Sequence, residues 1–235
     1  MRAALLAGCL LASSGAYAAY PLITEDTGTQ GRGGWQLEGT SEVATLAQGR
    51  VTSDNLVLNY GLHDTADLQL VLPWYSGDVA GVGDPQVNLK WRFFEHGPFS
   101  MGLKPSLLLP GGDPEKGTGT GETNWAVTLI GGYEAGNLTV NADALYQTNR
   151  NSFGARDSLS HVSAGVLYRV GSVQLVADFT RETSVDPSVD QAARYSLVGV
   201  IWSVRPDFGL GFGYKVGRGG TDLKHSWLFG AAVRW

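Results

Sequence analysis

The feature that most constrains this sequence is how its period-two segments are joined. About twelve segments alternate apolar and polar residues: 35–46, 54–60, 66–74, 85–94, 99–109, 124–133, 138–148, 158–168, 173–183, 192–202, 208–216 and 226–235. A period of two is the strand period, because successive side chains point to opposite faces. Every second connection is short: 61–65, 95–98, 134–137, 169–172 and 203–207. The others, 47–53, 75–84, 110–123, 149–157, 181–191 and 217–225, are longer and richer in Gly, Asp and Pro. Short turns on one side and long loops on the other are how a strand barrel is threaded through an outer membrane. The expected fold is therefore all-β: a transmembrane, antiparallel, up-and-down β-barrel of about twelve strands, with short periplasmic turns and longer extracellular loops.

The faces support this. In 85–94, Val87, Leu89, Trp91 and Phe93 oppose Gln86, Asn88, Lys90 and Arg92. In 208–216, Phe208, Leu210, Phe212 and Tyr214 oppose three glycines. In the last strand, Trp227, Phe229, Ala231, Val233 and Trp235 share a face with aromatics at both ends. In water that face would invite aggregation; in lipid it is the expected wall. Segment 192–202 alternates poorly, since Leu197 and Ile201 oppose Val198, Val200 and Trp202. Its lumen face should be largely apolar, to meet a hydrophobic solute or a packed plug.

Three segments fit other compartments of the reading. Residues 1–18 read as a secretory signal: Arg2 gives the positive start, 3–12 the apolar stretch, and Ala16-Tyr17-Ala18 the cleavage site. Leu6-Ala7-Gly8-Cys9 also matches a lipoprotein cleavage pattern, but too few apolar residues precede Cys9. Cys9 is the only cysteine, so the exported part has no disulfide. Residues 19–34 form an N-terminal tail too rich in Gly and Thr for a helix. Two fates are open to it: hanging in the periplasm, or plugging the lumen through Thr24, Glu25, Asp26, Thr27, Thr29 and Gln30. Residues 35–235 form the barrel. The net charge of −5 excludes a nucleic-acid partner, which needs a basic stripe.

The tail also carries a resemblance. Pro21-Leu22-Ile23-Thr24-Glu25-Asp26-Thr27-Gly28-Thr29-Gln30-Gly31, followed by Trp35-Gln36-Leu37-Glu38, resembles the start of the outer-membrane proteins of the MetA pathway of phenol degradation. Gly83-Asp84-Pro85 leading to Lys90-Trp91, and Leu109-Pro110-Gly111-Gly112-Asp113 leading to Gly117-Thr118-Gly119, fit the same family. The resemblance implies an outer-membrane barrel that carries hydrophobic or aromatic compounds in a Gram-negative bacterium. It also implies folding by the barrel-assembly machinery.

Chemistry is sought on the inward faces. Glu38, Glu42, Lys90, Arg92, Lys104, Asp143, Asp178 and Arg181 are the expected lumen-lining charges, which tune a pore or fill a closed one. Three functions follow from the sequence. The first is a passive channel for small hydrophobic solutes; the second is a closed structural or adhesive barrel. The third is a lipid hydrolase built on His161 and Ser163, which lacks a G-x-S-x-G element. No catalytic residue, cofactor or metal is expected, because no ligand motif occurs. Outer-membrane lipid and lipopolysaccharide are the expected surroundings. Asp113, Glu115, Asp186 and Asp190 on long loops could hold divalent ions beside lipopolysaccharide, or serve solubility alone.

Overall fold

A computed structural model describes residues 20–235. The expected signal segment lies outside the described residues. Thirteen strands follow one another: β1 (Trp35–Leu46), β2 (Arg50–His63), β3 (Ala66–Gly77), β4 (Gly81–Val82), β5 (Gln86–His96), β6 (Phe99–Leu108), β7 (Asn124–Ala135), β8 (Leu138–Thr148), β9 (Ser158–Val170), β10 (Val173–Glu182), β11 (Ala193–Arg205), β12 (Phe208–Gly219) and β13 (Leu223–Arg234). Twelve of them form a closed antiparallel ring, because β1 pairs with both β2 and β13 and β2 pairs with β3. The two-residue β4 folds back on β3 outside the ring order. Closure leaves no free edge, and in lipid each unpaired backbone group would cost several kcal/mol.

The seam is well defined. The Trp35 amide donates to the Trp235 carbonyl at 3.0 Å, and the Trp235 amide returns a bond at 3.1 Å. Their rings stack at 6.4 Å. Between strands, the turn-side connections are two residues long, and Gly97, Gly136 and Gly171 open three of them at φ 57°, 62° and 63°. Positive φ at the first loop residue gives the mirror-type turn whose twist matches paired strands.

The expected loop pattern needs one correction. Connections 47–53 and 217–225 are not long loops. β2 begins at Arg50 after a three-residue turn closed by Leu46 donating to Gly49, and only residues 220–222 separate β12 from β13. Arg50, Thr52 and Ser53 are polar, which reads as loop. Above the lipid, however, a hairpin needs only its ladder bonds and not apolar side chains. The four connections between them remain long.

The outer wall is apolar: Leu70, Leu72 and Trp74 on β3, Val198, Val200 and Trp202 on β11, and Phe212 on β12 are among its exposed residues. Val198 is 61% exposed, an orientation that fits lipid rather than water. A bulge between Arg92 and Phe94 turns both Phe93 and Phe94 outward near the turns.

Candidate functional site

The interior is organised by the tail. Residues 20–34 form no strand or helix, so their amides need other acceptors. Three inward carboxylates supply them. Asp178 on β10 accepts from the amides of Ile23 at 3.2 Å and Thr24 at 2.8 Å, and from the Thr24 hydroxyl at 2.6 Å. Asp143 on β8 accepts from the Glu25 amide at 2.7 Å. Asp67 on β3 accepts from the Gln30 amide at 2.9 and 3.1 Å. Thr27 shares a 2.6 Å hydroxyl contact with Ser100, and the Thr29 hydroxyl donates to the Asp64 carbonyl at 2.8 Å. Near the seam, Gly33 and Gly61 bond through backbone groups.

Ion pairs hold the same segment. Lys90 on β5 reaches Glu25 at 3.2 Å and Asp26 at 3.5 Å, and Lys104 on β6 also pairs with Glu25. Apolar packing completes the docking. Leu22 lies among Leu167, Val176, Leu197, Ile201 and Leu228, with Tyr20 beside them. Thus the apolar inward face of β11 meets the tail. The expectation of an apolar face is correct, and the tail side chains occupy it instead of leaving it for a solute. Glycines make room: a Cβ on Gly213 would lie 2.8 Å from Pro21, and one on Gly230 would lie 2.5 Å from the Tyr20 ring.

Because residues 20–24 of the tail pack against β9–β13, space remains elsewhere. A chamber of about 320 Å³ lies between the tail and β1–β6, lined by Gln36, Glu38, Asn59, Asp67, Gln69, Asn88, Lys90, Lys104 and Arg234. An amide ladder crosses its wall: Gln69 donates to Asn59 at 2.8 Å and Asn88 to Gln69 at 2.7 Å. A second cavity of about 390 Å³ lies toward the loops, lined by Ile23, Ala44, Leu46, Val51, Tyr195, Lys215 and Leu223. Its charged groups and its tyrosine are bound in pairs. Lys215 pairs with Glu42 at 2.7 Å, and the Tyr195 hydroxyl donates to Glu182 at 2.8 Å. Ile23 lines both cavities.

The expected lumen charges divide accordingly. Glu38, Glu42, Lys90, Lys104, Asp143 and Asp178 are inward, and Arg92 lies lower, pairing with Glu95 at 3.0 Å near the turns. Arg181 is a correction. It is exposed and shares the parity of Phe179, which is 53% exposed on the outer face. Residues three apart on an unbulged strand face opposite ways, so Asp178 and Arg181 cannot both point inward. Asp67, Ser100, Tyr195, Glu182 and Lys215 also face the interior and are not among the expected residues, although strand parity alone points each of them inward.

His161 does not bond Ser163. Its Nε2 lies 2.8 Å from Asp143 Oδ1, while the buried Ser163 hydroxyl has no hydrogen-bond partner among the described residues. The pair therefore lacks the serine–histidine bond a hydrolase would use. The loop carboxylates serve their own loops. Lys116, at 3.1 Å, holds the Asp113 carboxyl below its usual range, and Ser188 does the same for Asp186. No group of three or more potential metal ligands occurs among the described residues.

The glycine stretches have a different role. Asp84 Oδ1 accepts from the amides of Gly111 at 3.1 Å and Gly112 at 2.9 Å, and Oδ2 accepts from the Thr120 amide at 2.8 Å and its hydroxyl at 3.0 Å. A Cβ on Gly119 would lie 2.3 Å from Asp84. One aspartate thus ties the two loop-side glycine stretches together.

Solved structures share this architecture. The COG4313 outer membrane channel from Pseudomonas putida F1 superposes with a TM-score of 0.70 at 16% identity, covering 89% of this chain and 98% of the other. The NanC porin gives 0.64 at 10% identity, and the KdgM porin 0.64 at 11%; each match covers 84% of this chain and 98% of the other. These likenesses establish the outer-membrane barrel fold. No curated protein matches the sequence. The profile of the family described as "Putative MetA-pathway of phenol degradation" matches residues 17–234, and the chain belongs to that family.

Proposed function

We propose that the protein is a passive outer-membrane channel for small hydrophobic or aromatic solutes, with its N-terminal tail as a lumen plug. The observation that carries this is the loop-side cavity. Its volume of about 390 Å³ falls within the roughly 300–1,000 Å³ typical of small-molecule sites. Ile23, Leu46, Val51 and Leu223 give it apolar walls, while Lys215 pairs with Glu42 and the Tyr195 hydroxyl binds Glu182. A solute entering from outside would meet Ile23 as the barrier to the polar chamber below. The polar chamber favours onward release of a solute that carries a hydroxyl, because its amides and carboxylates offer hydrogen bonds. The family's description supports the same class of solute.

Export through a cleaved signal at 1–18 and insertion by the barrel-assembly machinery, reading the aromatic terminal strand, belong to this reading. Uptake of a phenolic compound should fall in cells lacking the protein and return on complementation. Unchanged uptake of every aromatic compound tried would overturn the proposal.

A closed structural barrel is the second reading, favoured by the number of bonds that fix the tail. Planar-bilayer recording separates the two. A closed barrel conducts neither with its tail nor after Ile23→Ala, whereas a plugged channel gains conductance on that substitution.

A further inference from the structure

The outer wall carries an arrangement the lumen function does not use. Arg181 on β10, Arg194 on β11 and Arg218 on β12 are register partners: Arg181 stands opposite Arg194, and Arg194 opposite Arg218. All three are exposed and lie on the outward parity of their strands. None of their side chains has a hydrogen bond or ion pair with another described residue. Like charges directly opposite one another destabilise a sheet. Three in line, without a carboxylate among them, therefore call for an anion from outside the chain.

Their height indicates which anion. Four and six residues down the same strands the outward rows are apolar: Ala177, Val198 and Tyr214, then Leu175, Val200 and Phe212. The arginines thus stand at the loop-side end of a wall made for acyl chains. Neighbouring strands lie about 4.8 Å apart, so the row spans about 10 Å, the width of one headgroup. On β7, β8 and β9 the outward loop-side residues are Trp125, Tyr146 and Ser160 instead. Across the wall from β7 to β12, the outward loop-side charge is therefore confined to β10, β11 and β12.

We propose that Arg181, Arg194 and Arg218 form a site for the phosphate of lipopolysaccharide, whose acyl chains lie against the β10–β12 wall below. Planar guanidinium groups bind phosphate through paired hydrogen bonds, and several together can bridge its oxygens.

The test uses the full mature protein refolded in neutral detergent, with heat-dependent gel mobility reporting the closed barrel. Native mass spectrometry reads adducts with bisphosphorylated lipid A, dephosphorylated lipid A and phosphatidylglycerol. Wild type should retain bisphosphorylated lipid A at least tenfold better than the other two. The R181S/R194S/R218S variant should lose that preference, and the all-lysine variant should keep part of it. Equal retention by wild type and the serine variant, both folded, overturns the site. Equal binding of phosphatidylglycerol reduces it to general attraction to anionic lipid and overturns it as well. Displacement by inorganic phosphate at matched concentration would mark a free-anion site and also overturn it. If the serine variant fails to fold, Arg194→Gln alone, at the centre of the row, gives the same reading at smaller amplitude.

Discussion

Asp178 accepts three hydrogen bonds from Ile23 and Thr24, all through the same Oδ2 oxygen. The tail is thereby fixed to β10 at the level where Ile23 lines both cavities. Replacing the carboxylate with Asp178→Ala removes every one of these acceptor contacts. A bond to a charged group contributes roughly 1.5–3 kcal/mol, so loss of even one should raise the population of undocked tail about tenfold. Protease cleavage within residues 20–34 and single-channel conductance should both increase. An unchanged cleavage rate would show that the other contacts suffice.

Glu25 sits between Lys90 and Lys104. In Glu25→Gln those lysines keep only Asp26, 3.5 Å from Lys90, as a tail counter-charge. Ion selectivity in a salt gradient should move toward anions, read as a displaced reversal potential. No displacement would place the conducting path away from this cluster.

Gly230 faces the Tyr20 ring across a gap that a Cβ would close to 2.5 Å. Gly230→Val should displace Tyr20 without breaking the β13 ladder, because the obstructing atoms belong to the tail. The barrel should keep its heat-dependent mobility while the Tyr20–Pro21 region becomes protease-sensitive. Loss of the folded band would show that the tail is needed for closure.

Leu22 is 8% exposed within an all-apolar cluster. Truncating a buried leucine to alanine costs about 2–5 kcal/mol. Here that cost should appear as weaker tail docking rather than as a less stable barrel. Hydrogen exchange at residues 22–25 should rise while exchange in β9–β12 is unchanged.

Asp84 joins two loop segments, and Asp84→Asn replaces one acceptor oxygen with a donor facing N–H groups. Residues 109–121 should become accessible to protease, with the barrel intact. Equal resistance would mean that the glycine packing alone holds the loop.

The sequence shows the ring more clearly than its contents. β1 and β8 run over the residues their alternation predicts, 35–46 and 138–148, because lipid enforces one face along each strand. β2 starts before the expected 54–60 because Arg50, Thr52 and Ser53 lie beyond the apolar band, where hydrophobicity no longer marks a strand. Thr24, Glu25, Asp26, Thr27, Thr29 and Gln30 are legible as hydrogen-bonding groups, but their barrel partners lie from 35 residues away in sequence, for Thr29, to 154, for Thr24. Asp84 was legible as part of a motif, yet its four donors come from a segment 27 to 36 residues further on. The charge of Arg181 suggests the lumen while its parity puts it outside, and the outward arginine row is visible only with the strand register.

The seam between β1 and β13 has a consequence in time. Arg234 meets Gln36 across 198 residues of chain, so the ring cannot seal before β13 arrives. Until then β1 and the growing sheet each carry a raw border, the kind of border that recruits stray strands. Contacts so distant in sequence also form slowly. Residues 20–34 are attached directly to the strand that seals last against its partner. They are therefore held beside the closing gap throughout assembly, where the cylinder can shut around them.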